Sequence, residues 1–422
     1  VKRGDSVDSA EEPAMPVTSD LLSGPIPATA DVVVVGGGVN GVSTAFQLAK
    51  RGAGRVVLLE RAQLASGATG KSGALVRAHY TNVPETTLTK HSLDIFHSWG
   101  DAVGYGDPGF QTTGFLRVVR PEDAAKLAAN VASHQAIGVD TRVLTAVEAK
   151  AIEPLLDTDD ITHVAWEPNS GYADPNATVY GFVEGAIAHG AVVRTHTPAT
   201  RIVTAGGRIV AVETPAGRIA TNTVVLVAGG WANQLLDPLG VDLHQEPHRV
   251  KVVLFRWPIG MEQRRHPVII DSTQHSWLRP AAGNSTLIGI EHDPIEIDPD
   301  SYEEVVEHDY IARCRRALAA RLPIFADATM LGSWAGIIMQ SSDGHPIIDR
   351  IDSVPGLFVM AGDSGSSFKT APAIGICLAE WVLDGAPKLV DLTPFRASRF
   401  AEGRPWRDEL AYNASAGITV SR

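Results

Sequence analysis

Cysteine is almost missing from this chain: Cys314 and Cys377 are the only two among 422 residues, and they stand far apart. That spacing excludes a paired redox motif or a thiolate-rich metal site, and it fits a reducing, cytoplasmic compartment. Positive charge is scarce as well, with 36 Lys and Arg against 48 Asp and Glu and a net charge of -12. Such a balance argues against nucleic acid or an anionic membrane as partner, and any anionic substrate must then be met by specific local cations. No apolar run approaches the roughly 20 residues of a membrane span. The N-terminus carries no basic stretch followed by an apolar core, so a secretory leader is not expected. No metal is expected either. What is present, 44% hydrophobic and 20% charged residues, suits a soluble globular protein long enough for two or three domains.

The most informative segment is Asp31-Val-Val-Val-Val35-Gly36-Gly37-Gly38-Val39-Asn40-Gly41. Four consecutive valines read as a strand buried on both faces. Gly36 permits a sharp turn, Gly38 lets the backbone approach a pyrophosphate, and Gly41 lets the next helix pack closely. A helix over 39–51 then aims its N-terminal amides, beginning at Val39 and Asn40, toward the phosphates. A second strand, Arg55-Val-Val-Leu-Leu59, ends in Glu60, at about the ~20-residue distance expected of the acid that holds an adenosine ribose. The same residues would also serve an ordinary βαβ turn with Glu60 as a solvated strand end. Strand, turn, helix, second strand and acid falling in register favour a bound dinucleotide.

Residues 1–30 read as a flexible N-terminal tail with an extended lead-in. The loop Leu64-Ala-Ser-Gly-Ala-Thr-Gly-Lys-Ser-Gly-Ala-Leu-Val-Arg77 is too small in its side chains to build a core and suits a ligand lying along its backbone. Helices are expected over 86–98, 121–138, 145–152, 174–189, 302–322 and 371–384, with Thr and Asp caps opening the third and fourth. Two turns at 205–207 and 215–217 cut a small meander. Strands at 223–228 and 357–361 each run into a glycine turn, as the first strand does. The economical arrangement joins all three in one parallel sheet, with intervening strands at 109–119, 248–256, 268–270, 277–280 and 286–290 forming a second, mainly antiparallel sheet. The expected fold is therefore α/β: a Rossmann-like nucleotide domain (31–80, 165–240 and 335–390) interrupted by an α+β substrate domain (81–164 and 241–334), with a C-terminal extension over 391–422.

The order of motifs resembles the D-amino-acid oxidase-like flavoprotein superfamily, in particular its sarcosine oxidase and glycine oxidase branches, from Asp31 to about Gly385. The likeness is carried by the glycine turn with Glu60, by Ser66-Gly67-Ala68-Thr69-Gly70, Gly171-Tyr-Ala-Asp174-Pro175, Ala228-Gly-Gly-Trp231, Ser333-Trp-Ala-Gly336, Asp343-Gly-His-Pro-Ile-Ile348 and Ala361-Gly-Asp-Ser-Gly365-Ser-Ser-Phe-Lys369. The resemblance implies FAD. Glu60, with Arg61 beside it, would hold the adenosine ribose. Ser66, Thr69, Gly70, Lys71 and Ser72 would run along the pyrophosphate and flavin. Ala199 would meet the adenine, with Gly229 and Trp231 close by. Gly362, Ser364, Gly365, Ser366, Ser367, Phe368 and Lys369 would bring amides to the flavin edge, where a reduced flavin carries negative charge. Branches that tether the flavin use a His matching Lys71 or a Cys near Gly336. Neither is present, so non-covalent FAD is expected.

By the same likeness, Arg77 in Arg77-Ala-His79-Tyr80 and Lys369 would clamp a substrate carboxylate, an Arg fork beside a Lys point charge. His79, Tyr80 and Trp277 would frame the amine side, and Ile337, Ile338 and Met339 would line a pocket for an N-substituent. The implied reaction is oxidation of the C–N bond of a secondary or N-substituted amino acid, sarcosine-like or N-carboxymethyl, to an imine that hydrolyses. No dedicated base is required. Dioxygen is the expected acceptor, with Lys369 or Lys71 standing in for a strand Lys that 285–289 lacks. A dehydrogenase, or a subunit passing electrons to a quinone or carrier, is the alternative. A flavin-binding protein without turnover is a third reading.

Overall fold

A computed structural model describes residues 19–261, 265–291 and 295–412. The expected tail over 1–30 and extension over 391–422 therefore lie partly outside the described residues.

The valine run forms the strand Val32–Val35, central in a six-stranded sheet. It pairs in parallel with Val56–Leu59 on one side and Val224–Leu226 on the other, and Val224–Leu226 pairs in parallel with Leu357–Ala361. All three strands that enter glycine turns thus share one sheet. Alternation splits the valines between two cores. Val32 and Val34 pack with the helices Val39–Lys50, Pro175–Ala188 and Ala371–Asp384. Val33 and Val35 face Ile202, Ile209, Val212 and Ile219 of the small meander, and Leu235 beyond it. The expected caps are present: Thr145 and Glu148 exchange bonds as a capping box, and the Asp174 carboxylate accepts from the Asn176 and Ala177 amides.

A second sheet has eight strands in the order 330–341, 245–256, 285–290, 276–281, 268–271, 115–118, 163–167, 142–145. Every neighbouring pair is antiparallel except Val268–Asp271 with Phe115–Val118. One face packs on the helix His308–Arg321; the other carries Phe115, Val252, Ile270, Trp277 and Leu287 toward the nucleotide sheet.

Three expectations need correction. The helix expected over 302–322 begins only at His308, because the preceding segment is drawn out by Arg249, whose guanidinium donates to the Glu303 and Val305 carbonyls. The expected strand over 109–119 is broken into Gln111–Thr112 and Phe115–Val118, with Gly114 at φ +76° between them. The boundaries drawn at 165 and 335 fall inside His163–Glu167 and Met330–Ser341, strands that belong wholly to the eight-stranded sheet.

Beyond residue 390 the chain runs back across both sheets' flanks. Arg399 pairs with Asp343 at 2.8 Å, Trp406 stacks on His345 at 4.3 Å, and buried Tyr412 reaches His79. No helix among the described residues is long and apolar enough to cross a membrane.

Candidate active site

The glycine turn is dictated by steric contact. Gly36 sits at φ +120°, and a Cβ there would lie 2.4 Å from the Val227 carbonyl oxygen. A Cβ on Gly41 would lie 1.9 Å from the Gly36 oxygen, so the helix can approach only as glycine. The turn opens onto a cavity of about 550 Å³ lined by Gly36, Gly38, Val39, Asn40, Glu60, Arg61, Ser66, Thr69, Lys71, Ala199, Gly229, Trp231 and Gly362, among others. The Glu60 carboxylate accepts from the Gly37 and Ala62 amides, each at 2.7 Å, while burial pushes its pKa up. Arg61 stacks over the Trp231 ring at 4.9 Å and pairs with Asp300 at 2.7 Å, closing the rim.

Several expected cofactor residues take other roles. Gly41 does not line the cavity and instead seats the helix, the packing role its place in the turn implied. Gly70 does not line it either, because its amide donates to the Ala65 carbonyl at 2.8 Å and it forms a turn. The Val39 amide is already capped by the Thr69 hydroxyl at 3.1 Å. Ser72, Ser364, Gly365, Ser366, Ser367, Phe368 and Lys369 line an adjoining pocket. That pocket shares Val39, Asn40, Thr69, Lys71, Ile337 and Asp363 with the cavity. Lys71 stands at the junction, but its ammonium is engaged by Tyr302 at 2.6 Å and by Glu304. Burial alone would lower its pKa; the bonds to Glu304 and Tyr302 outweigh that and raise it. The buried Asn40 Oδ1 and Ser367 Oγ on these walls have no partner among the described residues. Together with the glycine turn and the buried Glu60, they fit a dinucleotide that spans both cavities.

The adjoining pocket measures about 140 Å³. Besides Lys71 at the junction, its basic lining includes the buried Arg77, at 3% exposure, and Lys369, at 7%. Burial lowers the pKa of both; for Lys369 it falls well below the usual lysine range, with the Arg77 charge adding to the effect. The remaining walls are largely apolar: Leu75, Val252, Ile270, Trp277, Ile337, Ile338 and Phe368. Lys251 is a further lining residue. Its ammonium lies on the opposite face, 3.1 Å from Glu307 and 4.5 Å over the Tyr310 ring. Asp363 stands where the two cavities meet, and burial lifts its pKa to about 6.

Arg77, Lys369, Trp277, Ile337 and Ile338 are thus brought together. His79 is not: it turns away from the pocket, bonds the Tyr412 hydroxyl at 2.7 Å and packs edge-on to His134 at 4.8 Å. Full burial holds it neutral by driving its pKa well below the usual histidine value. Tyr80 is fully buried behind the two cations and does not line the pocket. Met339 faces the larger cavity instead. Leu75, Val252, Ile270, Tyr302 and Glu304 were not foreseen. Val252 and Ile270 lie on expected strands, but only the pairing of those strands reveals which alternate residues face the pocket. His79, His134 and Glu167 bring potential ligand atoms within 4.8 Å of one another. The Arg77 guanidinium acts on all three, which opposes a further cation there.

Comparison with known proteins gives the geometry its context. The family model described as FAD dependent oxidoreductase (DAO) matches residues 31–381. The chain is 26% identical over 384 residues to sarcosine oxidase subunit beta of Rhizobium meliloti, covering 88% of this chain and 89% of that protein. It is 26% identical over 376 residues to glycine oxidase of Geobacillus kaustophilus, covering 87% and 97% respectively. Among solved structures, L-proline dehydrogenase from P. horikoshii superposes with a TM-score of 0.83 at 28% identity, covering 90% of this chain and all of that one.

Proposed function

Because the chain belongs to the FAD dependent oxidoreductase (DAO) family, we propose that it oxidises the C–N bond of a secondary or N-substituted amino acid and passes the electrons to dioxygen, releasing hydrogen peroxide. The observation that carries this reading is the pair of buried cations, Arg77 and Lys369, in a small and otherwise mostly apolar pocket that shares walls with the cofactor cavity. Bound FAD supplies the two-electron acceptor for the α-carbon C–H bond. The protein's own part is positioning. Arg77 offers a planar fork and Lys369 a point charge to one carboxylate, fixing the substrate's orientation. Trp277, Ile270 and Ile338 exclude water around the amine and favour its neutral form. The imine formed is hydrolysed after release to a carbonyl compound and the shortened amine.

The apolar walls favour a compact alkyl N-substituent over a second carboxylate, since Lys251 is committed to Glu307 on the far face. FAD is proposed to be held non-covalently. Position 71 is Lys, and Cys377 and Cys314 are buried in helices with thiols pushed up to about 12. A dehydrogenase is the second reading, favoured by the Glu304 carboxylate that offsets Lys71 at the cavity junction.

The test is an anaerobic screen of N-alkyl amino acids scored by bleaching of the oxidised-flavin absorbance, then peroxide release in air. Bleaching with peroxide supports the oxidase; bleaching without peroxide, but with dye reduction, supports the dehydrogenase. Arg77→Ala is expected to raise KM for carboxylate substrates by about 100-fold while leaving FAD affinity within a few-fold. Equal loss of both would overturn the clamp.

A further inference from the structure

We infer that Tyr80 is a positioning residue that holds Arg77 and Lys369 together as one two-cation clamp. This inference rests on the carboxylate-binding part of the reading above. Tyr80 is fully buried and has no surface in the pocket, so it touches neither substrate nor cofactor space. Its ring centroid lies 4.7 Å from the Arg77 guanidinium carbon and 5.0 Å from the Lys369 ammonium. Its hydroxyl donates to the Ser366 carbonyl at 3.2 Å, and the Lys369 ammonium donates to the same oxygen at 3.1 Å. One aromatic side chain therefore contacts both cations by its ring and shares an acceptor with one of them.

The need for such a device follows from Coulomb's law. Two like charges taken out of water repel strongly, and each drives the other apart or toward its neutral form. Other charged groups act on Lys369 as well: Arg77 from the 75–80 segment, Glu85 from the helix Val83–His97, and Asp363 from its own loop. Of these only the carboxylates favour the ammonium. The negative face of an aromatic ring attracts a desolvated cation without adding a formal charge. A ring thereby stabilises both cations without adding to the carboxylates, Glu85 and Asp363, that already act on Lys369.

The ring contribution separates from the hydroxyl contribution by substitution. The holoenzyme is titrated with acetate, a carboxylate it cannot oxidise, and read by the perturbation of flavin absorbance. Tyr80→Leu is expected to weaken acetate about tenfold and to raise KM for an N-alkyl amino acid similarly, with kcat changed less. The alkaline limb of acetate binding moves to lower pH, because Lys369 loses its proton more readily without the ring. Tyr80→Phe retains the ring and restores most of the affinity and the limb. Should Tyr80→Leu fail to retain flavin, fluorinated phenylalanines at position 80 keep the shape and drain the ring's negative face; acetate affinity then falls stepwise with fluorination. A flat fluorination series, or Tyr80→Leu with unchanged affinity and pH profile, overturns the inference. Acetate binding by an enzyme that oxidises no amine would overturn the proposed reaction while leaving the Tyr80 assignment intact.

Discussion

Trp277 owes its place to two glycines. A Cβ on Gly73 would lie 2.4 Å from the indole Cη2, and one on Gly289 would lie 2.6 Å from Nε1. The indole is thus seated between a loop of the nucleotide sheet and a neighbouring strand of the larger sheet, with one surface in the substrate pocket. Gly289→Ala must push the ring, and the space available to it is the pocket. The expected outcome is a KM that rises more for bulky N-substituents than for N-methyl, by about tenfold at the larger end, with flavin content unchanged. Steady-state kinetics across a substrate series checks this; an equal change for every substrate would place the effect elsewhere. The contrast with His79 is instructive. Both were legible as candidate pocket residues from residue type and motif. Only Trp277 faces the pocket, because His79 finds its partner in Tyr412, a residue 333 positions away that no local pattern connects to it.

At the scale of elements, the segment from Asp298 to Glu307 is the clearest departure from periodicity. Its side chains and carbonyls are claimed by cations: Asp300 by Arg61, Glu304 by Lys71, and Glu307 by Arg249 and Lys251. Four contacts of this kind outweigh the modest helix propensity of a Val-Val pair in a single turn. Glu304→Gln removes the charge that offsets Lys71 beside the cofactor cavity. Reoxidation of the reduced enzyme by dioxygen is expected to accelerate several-fold in stopped-flow measurements, since a free cation favours electron transfer to oxygen. Stability should change by only about 0–1 kcal/mol, as the pair is partly exposed. An unchanged reoxidation rate would remove Lys71 from the oxygen chemistry. The strands, caps and three repeated glycine turns were legible because each is coded by a contiguous run. The boundaries at 165 and 335 were not, because what assigns His163–Glu167 and Met330–Ser341 to one sheet is pairing with strands far away in sequence.

For the whole molecule, the balance of buried titratable groups sets its tolerance of acid. His134 and His266 are fully buried, and burial lowers each pKa to about 4. His266 is the cleaner probe, being held away from the site by the Pro267 carbonyl at 2.7 Å and the Thr286 hydroxyl at 2.9 Å. Above pH 6.5 neither the folded nor the unfolded chain protonates it. Between about 6.5 and 4 the unfolded chain binds the proton and the folded chain does not, so folding weakens as pH falls through that window. Asp363 opposes this trend, since burial raises its pKa to about 6 and the folded chain takes up that proton first. His134 acts in the same window and with the same sign as His266, so the histidine contribution is destabilising toward acid. His266→Gln should therefore flatten the loss of unfolding free energy between pH 7 and pH 4.5 by roughly 2–3 kcal/mol, even though it lowers stability at pH 7. Asp363→Asn should steepen the same loss. Urea denaturation of the holoenzyme at the two pH values measures both, and parallel curves for His266→Gln and the unmodified chain would mean that this imidazole is not what makes the fold acid-sensitive.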